Sequence, residues 1–89
     1  MRYVAEDINV AAFFIAKGCD LDGLEPMGRL HFGFIFQHPN ALALAQSYYN
    51  DAECCAQKFS MALKELKQRI YKARDERNQN EKFYTRLAR

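Results

Sequence analysis

Apolar and polar residues alternate clearly in one stretch of this chain, Arg29 to Gln37, RLHFGFIFQ. Leu30, Phe32, Phe34 and Phe36 fall on alternate positions, so in an extended strand they share one face. His31, Gly33, Ile35 and Gln37 face the other way. Aromatic and β-branched residues suit a pleated, half-buried surface, and a face of three phenylalanines and a leucine must be covered. Before this strand, Val10, Ala11, Phe14 and Ile15 recur at helical spacing. Asp7 is placed to accept from the free amides of a first turn, and Gly18 to stop the helix. The pattern predicts a helix from Asp7 to Lys17, with a buried strand through Ala11–Ile15 as the alternative. Cys19 to Glu25 reads as a second strand, with Gly23 marking a bulge and Pro26-Met27-Gly28 the turn into the first. Gly33 leaves a gap in the side-chain row, for a packed helix or for the close approach of a ligand.

After the strand, His38-Pro39 is a stop, with Pro39 suited to a first helical position. Ala41 to Ala45 is strongly helix-favouring. Leu44, Ala45 and Tyr48 form a stripe that Leu42 and Tyr49 widen. A helix apolar nearly all round is expected to be buried. Asn50-Asp51 breaks it, and either residue can cap the next helix. That helix, the longest, is expected from about Ala52 to Arg77, with Cys55, Phe59, Ala62, Leu63, Leu66, Ile70 and Ala73 facing the core. Glu65→Arg69 and Lys72→Glu76 are spaced as ion pairs on the wet side. Asn78-Gln79-Asn80 is expected to interrupt it. Phe83, Tyr84 and Leu87, with Lys82, Arg86 and Arg89 around them, then make a short basic amphipathic segment.

The expected fold is therefore α+β: a short helix, a two-stranded antiparallel hairpin and two helices, in the order α-β-β-α-α. Residues 1–77 form one small domain and residues 78–89 a basic tail. A lone hairpin is marginal, and its free edge is a template for pairing. This predicts a homodimer, joined edge to edge or through the long helices, with Leu30, Phe32, Phe34 and Phe36 at the interface.

Size and charge change this picture in one respect. At 89 residues the chain is near the lower limit for a self-sufficient core. Its formal charge of +2 conceals an asymmetry. From Met1 to Leu63, four bases stand against seven acids, a net −3. From Lys64 to Arg89, nine bases stand against Glu65, Asp75, Glu76 and Glu81, a net +5. A basic segment on an acidic body suggests a polyanion or an acidic partner surface. No apolar run approaches the ~20 residues of a membrane span. Glu6 and Asp7 ahead of Val10–Ala16 make a poor signal peptide. The three cysteines make no disulfide framework, and a cytoplasmic location is expected.

Further residues form a recurrent pattern. Asp7 precedes Ala12-Phe13-Phe14-Ile15-Ala16-Lys17-Gly18, then come Arg29-x-x-Phe32-x-Phe34-x-Phe36 and Tyr48-Tyr49-Asn50. Phe59-x-x-Ala62-Leu63-x-x-Leu66-Lys67 and Tyr71 complete it. In this order they resemble an uncharacterised family of small bacterial and mobile-element domains. The resemblance covers about Asp7 to Tyr71, and the link before the third helix is shorter here. It implies a shared helix–hairpin–helix–helix plan and a mobile-element context, and brings no catalytic residues with it.

The candidate chemistry is sparse. Cys19, Cys54 and Cys55 lack the paired spacing of a zinc site, and Asp20, Asp22 and Glu25 lack the further ligands of a calcium loop. His31 and His38 have no positioned nucleophile or carboxylate, and Ser47 and Ser60 lie on expected helices without an elbow. No phosphate loop occurs. No enzyme, cofactor, metal or small-molecule substrate is expected. Lys64, Lys67, Tyr71 and Arg74 share a helix face, and Arg77, Lys82, Arg86 and Arg89 continue the charge. Cations interleaved with aromatics suit a nucleic-acid backbone and its bases. The expectation is a non-enzymatic binding module whose basic helix and tail contact nucleic-acid phosphates. The alternative is a protein-binding adaptor or inhibitor from a phage or other mobile element.

Overall fold

The computed structural model describes the backbone of residues 1–28 and 31–87, with side chains through residue 75. The elements are β1 (Arg2–Ala5), α1 (Ile8–Ala16), β2 (Leu21–Pro26), β3 (Phe32–Gln37), α2 (Ala41–Tyr49) and α3 (Ala56–Leu87). The class is α+β, as the periodicity indicates. The order departs from expectation at its start, because Arg2–Ala5 adds a strand that the residue pattern does not reveal. The three strands form one antiparallel sheet in the order β1-β3-β2. Tyr3 pairs with Phe36 and Ala5 with Phe34, while Met1 extends the ladder by accepting from the His38 amide at 3.0 Å.

Paired residues of antiparallel strands share a face. Tyr3, Ala5, Phe32, Phe34, Phe36, Leu21 and Leu24 therefore line one side of the sheet. Leu21 and Leu24 reach the same side although three positions apart, because the ladder shifts by one residue between Leu21 and Gly23. That shift is the bulge expected at Gly23. α1 covers this side. Phe14 stacks on Tyr3 (5.3 Å between centroids, 15° between planes) and tilts against Phe36 (5.0 Å, 49°).

Phe34 and Phe36 are 1% and 0% exposed within a single chain, and Phe32 is also buried. This removes the reasoning behind the expected dimer. β1 occupies the edge of β3 that a lone hairpin would leave open, and the phenyl rings have no surface left for a second copy. Leu30 lies outside the described residues.

α1 begins as read, with Asp7 Oδ1 accepting from the Asn9 amide at 2.8 Å. Val10, Ala11, Ala12, Phe13 and Phe14 are all buried, so α1 and not α2 is the helix enclosed nearly all round. α3 lies along α1, where Ala62 and Leu66 are buried and Phe59, Leu63 and Ile70 pack against the core. α2 buries Ala41 and Ala45 and touches α1 through Tyr48, whose ring meets Phe13 edge-on at 5.5 Å. Leu42 and Tyr49 on its outer side are exposed. Pro39 precedes the cap residue Asn40 and does not open the helix.

The helix stops repeat one design with different residues. α1 ends at Lys17. The next residue, Gly18, adopts φ 96°, and the amides of Gly18 and Cys19 donate to Ile15 and Phe14 at 3.0 Å. α2 ends at Asn50. There Asp51 takes the left-handed place with φ 61°, and the amides of Asp51 and Ala52 donate to Tyr48 (3.3 Å) and Ser47 (3.0 Å). This stop uses up the residues from which α3 was expected to start, so α3 begins at Ala56. Neither Asn50 nor Asp51 is its cap. Its backbone then continues through Asn78-Gln79-Asn80. These three residues are mediocre helix formers but not breakers, and an established helix extends cheaply.

The other side of the sheet carries Arg2, Val4, Gly23, Glu25, Gly33, Ile35 and Gln37. Arg2 Nη2 meets Glu25 Oε1 at 3.2 Å from the two outer strands. Gly33 accommodates side chains here, not a helix. A Cβ on it would lie 2.5 Å from Val4 Cγ1 and 2.7 Å from Met27 Sδ.

Gly33→Ala is expected to destabilise the fold by about 1–3 kcal/mol through overpacking. Adding Val4→Ala should recover part of that loss, since Val4 has a stiff branched side chain and Met27 a flexible one. Urea unfolding of the two single variants and the double variant checks it, and strict additivity would refute the contact. Asp51→Gly should raise stability by ~1 kcal/mol, because glycine enters the left-handed region without the Cβ penalty. A lowered urea midpoint would refute that.

Candidate functional site

The 32-residue α3 has two sides of opposite chemistry. Ala62, Leu66 and Ile70 hold it to the body. Lys64, Lys67 and Tyr71, at spacings of three and four, lie on the outward side and are all exposed. The structure thus brings together three of the residues expected to contact nucleic acid. Among the described residues no acid pairs with Lys64 or Lys67, whereas Glu65 approaches Arg69 at 3.8 Å. Arg74 is half-buried and has an interaction of its own. Arg77, Lys82 and Arg86 fall on the backbone of α3, with side chains outside the described residues, as is the side chain of Glu76. Arg89 lies outside the described residues.

The observed helix boundary sharpens the charge asymmetry. Residues 1–55 carry Arg2, Lys17 and Arg29 against seven acids, a net −4. Residues 56–89 carry ten bases against four acids, a net +6. A helix of 32 residues spans ~48 Å at ~1.5 Å per residue. Among the described residues its core contacts run as far as Ile70.

The cysteines occupy unlike settings. Cys55, expected in the core, is exposed immediately before α3. The backbone amides of Lys58 and Gln57 point at its sulfur and hold its thiol below the ordinary value. Cys54, its neighbour, packs against the core instead. The link from α2 turns the chain so that the first position falls inside and the second outside. Burial, with Asp20 beside it, pushes the Cys19 thiol up. Among the described residues no group of three His, Cys, Asp or Glu side chains is arranged to hold a metal ion. His31 is exposed, and His38 is occupied locally, its Nδ1 accepting from the Asn40 amide at 3.0 Å. Ser47 Oγ donates to the Leu44 carbonyl at 2.6 Å and so serves its own helix. No helix of the described residues is long and apolar enough to cross a membrane.

Sequence spacing gives no sign of a cavity of about 520 Å³ between the end of α2 and the start of α3, lined among others by Phe13, Tyr48, Tyr49, Asp51 and Phe59. By spacing, Tyr48 and Tyr49 belong to a buried stripe. The available signal was the run Tyr48-Tyr49-Asn50-Asp51, where two large rings meet a helix stop.

Cys55 is expected to react with iodoacetamide at lower pH than Cys19. The amides that stabilise its thiolate move its titration down, while burial moves that of Cys19 up. Peptide mass spectrometry after labelling across pH 6–10 reads both sites, and an inverted order would contradict the geometry at the start of α3. No protein-family model, curated protein or solved structure matches the chain.

Proposed function

We propose that this chain is a non-enzymatic binding module that lays the outward basic face of α3 along the phosphates of a nucleic acid. The observation that carries the proposal is the position of Lys64, Lys67 and Tyr71. They lie on the exposed side of a helix whose opposite side is fixed in the core. Fixing the helix lowers the ordering cost of binding, because the backbone that carries the cations is already set. The acidic body adds orientation. A polyanion is repelled by residues 1–55 and attracted to α3, so encounter is steered to one face. Tyr71 supplies a ring on which an unpaired base can stack.

The experiment is fluorescence anisotropy with labelled duplex DNA, single-stranded DNA and RNA at 50–200 mM salt. Affinity should fall steeply with salt. Lys64→Gln and Lys67→Gln should each weaken binding and lower the log–log salt slope by about 1. Tyr71→Ala should cost about 1–3 kcal/mol on single strands and little on duplex. Lys17→Gln, on the body, is the control and should change nothing. Absence of binding to all three probes at 50 mM salt would overturn the proposal.

A further inference from the structure

The two outer edges of the sheet are not alike. β2 carries a bulge at Gly23, the charges of Asp22 and Glu25, and Pro26 at its end, all of which discourage a foreign strand. β1 has no proline and no bulge, and its one charged residue, Arg2, is engaged with Glu25 at 3.2 Å. The register of β1 shows which of its polar groups face outward. Met1 stands one step beyond the Arg2–Gln37 pair and accepts from the His38 amide at 3.0 Å, so Met1 and His38 form a hydrogen-bonded pair of the ladder. Such pairs alternate with non-bonded ones in an antiparallel sheet. Tyr3–Phe36 and Ala5–Phe34 are then bonded pairs, and the N–H and C=O groups of Arg2 and Val4 point away from β3. Among the described residues nothing takes them up.

Against this edge lies a groove of about 290 Å³, bordered by residues 3–7 in succession and, from α1 and α2, by Val10 and Tyr49. Successive strand side chains point to opposite faces, so one space that borders Tyr3, Val4 and Ala5 together runs along the outer margin of β1. The groove thus has an unpaired strand edge on one side and a helix on the other, the geometry in which an extended peptide adds to a sheet. It is small for a whole ligand, against the usual ~300–1,000 Å³, and suits one side chain. Among the described residues no lysine, arginine or histidine borders it, whereas Glu6 and Asp7 do. Burial, with Tyr49 and Glu6 beside it, pushes the Tyr3 hydroxyl up, so a carboxylate and two phenol oxygens are grouped near the edge.

We propose that the outer edge of β1 takes up an extended segment of a partner protein as a fourth, antiparallel strand, with a lysine or arginine of that segment seated in the groove. The backbone of the segment pairs with the outward groups of Arg2 and Val4. Opposed residues of antiparallel strands share a face, so the residue opposite Tyr3 projects to the covered side of the sheet, towards Val10 and Tyr49. A long basic side chain lays its stem along those apolar surfaces and keeps its charged head near water. The head donates to Glu6 and to the phenol oxygens, which replace the hydration it loses. An acidic side chain would meet like charge, and an apolar one would leave the acceptors without a donor. No described residue of α3 borders the groove, so this proposal and the polyanion reading can fail separately.

The test is NMR of the backbone amides of the full chain with an acetylated and amidated peptide, Thr-Val-Thr-Lys-Thr-Val-Thr. The Arg2 and Val4 amides should shift saturably. Norleucine in place of the lysine keeps the stem and drops the charge, and should weaken binding about twofold to fivefold. Glu6→Gln should weaken the lysine peptide by a similar factor and leave the norleucine peptide unchanged. N-methylation of the two threonines beside the lysine blocks the amides that face β1 and should abolish binding. N-methylation of the lysine, whose amide faces away, should not. Val4→Pro removes an outward amide at a place that edge strands tolerate, and should weaken binding about fivefold. Small-angle scattering of the free chain should give the mass of one copy. A dimer that Val4→Pro disperses would assign the edge to a second copy instead. That outcome, equal loss from the two N-methylation patterns, tighter binding of norleucine than of lysine, or no saturable shift at about 1 mM peptide would each refute strand addition of a basic segment.

Discussion

The stack of Phe14 between Tyr3 and Phe36 is the contact on which the remaining architecture depends. Through it α1 is pressed onto a three-stranded sheet, and the sheet gains a covered face. The same helix then offers Ala11 and Ala12, which are small and buried, and α3 runs alongside. Phe13 turns towards Tyr48 and draws in α2. A nine-residue helix thus touches each layer of the molecule. Among the described residues no polar or charged residue is buried, so the interior is specified by shape and by the helix stops.

The sheet has one covered face and one open one, and the open face is managed with small means. The Val4 and Met27 side chains fold over the gap at Gly33, and Arg2 and Glu25 meet at 3.2 Å across the outer strands. An exposed pair of this kind contributes ~0–1 kcal/mol, so it orders side chains more than it stabilises the fold. Asp20, Asp22 and Glu25 on or beside β2 place charge along an edge strand, which discourages addition of a foreign strand.

α3 divides its work along its length and around its circumference. Its first half is structural on the inside and basic on the outside, and Arg77, Lys82 and Arg86 follow along its backbone. The acidic remainder gives the chain a polarity of charge, net positive over residues 56–89 and net negative over residues 1–55. The cavity beside Tyr48, Tyr49 and Asp51 belongs to the acidic side although it borders the start of the basic helix.

Much of the plan was legible in the residues. Period-two spacing revealed β3, and Gly23 its bulged partner. Asp7 and Gly18 bounded α1, and the apolar stripe located α3 with Ala62 and Leu66 inward. Each of these is a local signal, set by dihedral preference or by the repeat of one element. The rest was decided by contacts distant in sequence. Arg2–Ala5 has no distinctive periodicity in four residues and becomes a strand because β3 offers its other edge. Which apolar helix is enclosed, α1 or α2, depends on where the sheet and α3 lie. The aromatic cavity exists because Asp51 turns left-handed and returns the chain past Tyr49, a geometry that residue spacing does not encode. The sequence by itself determined the helices, the main strand and the segregation of charge, because these are set by neighbours a few residues apart. Tertiary structure decided the third strand, the enclosed phenylalanines and the cavity, because those arise only when the element faces meet.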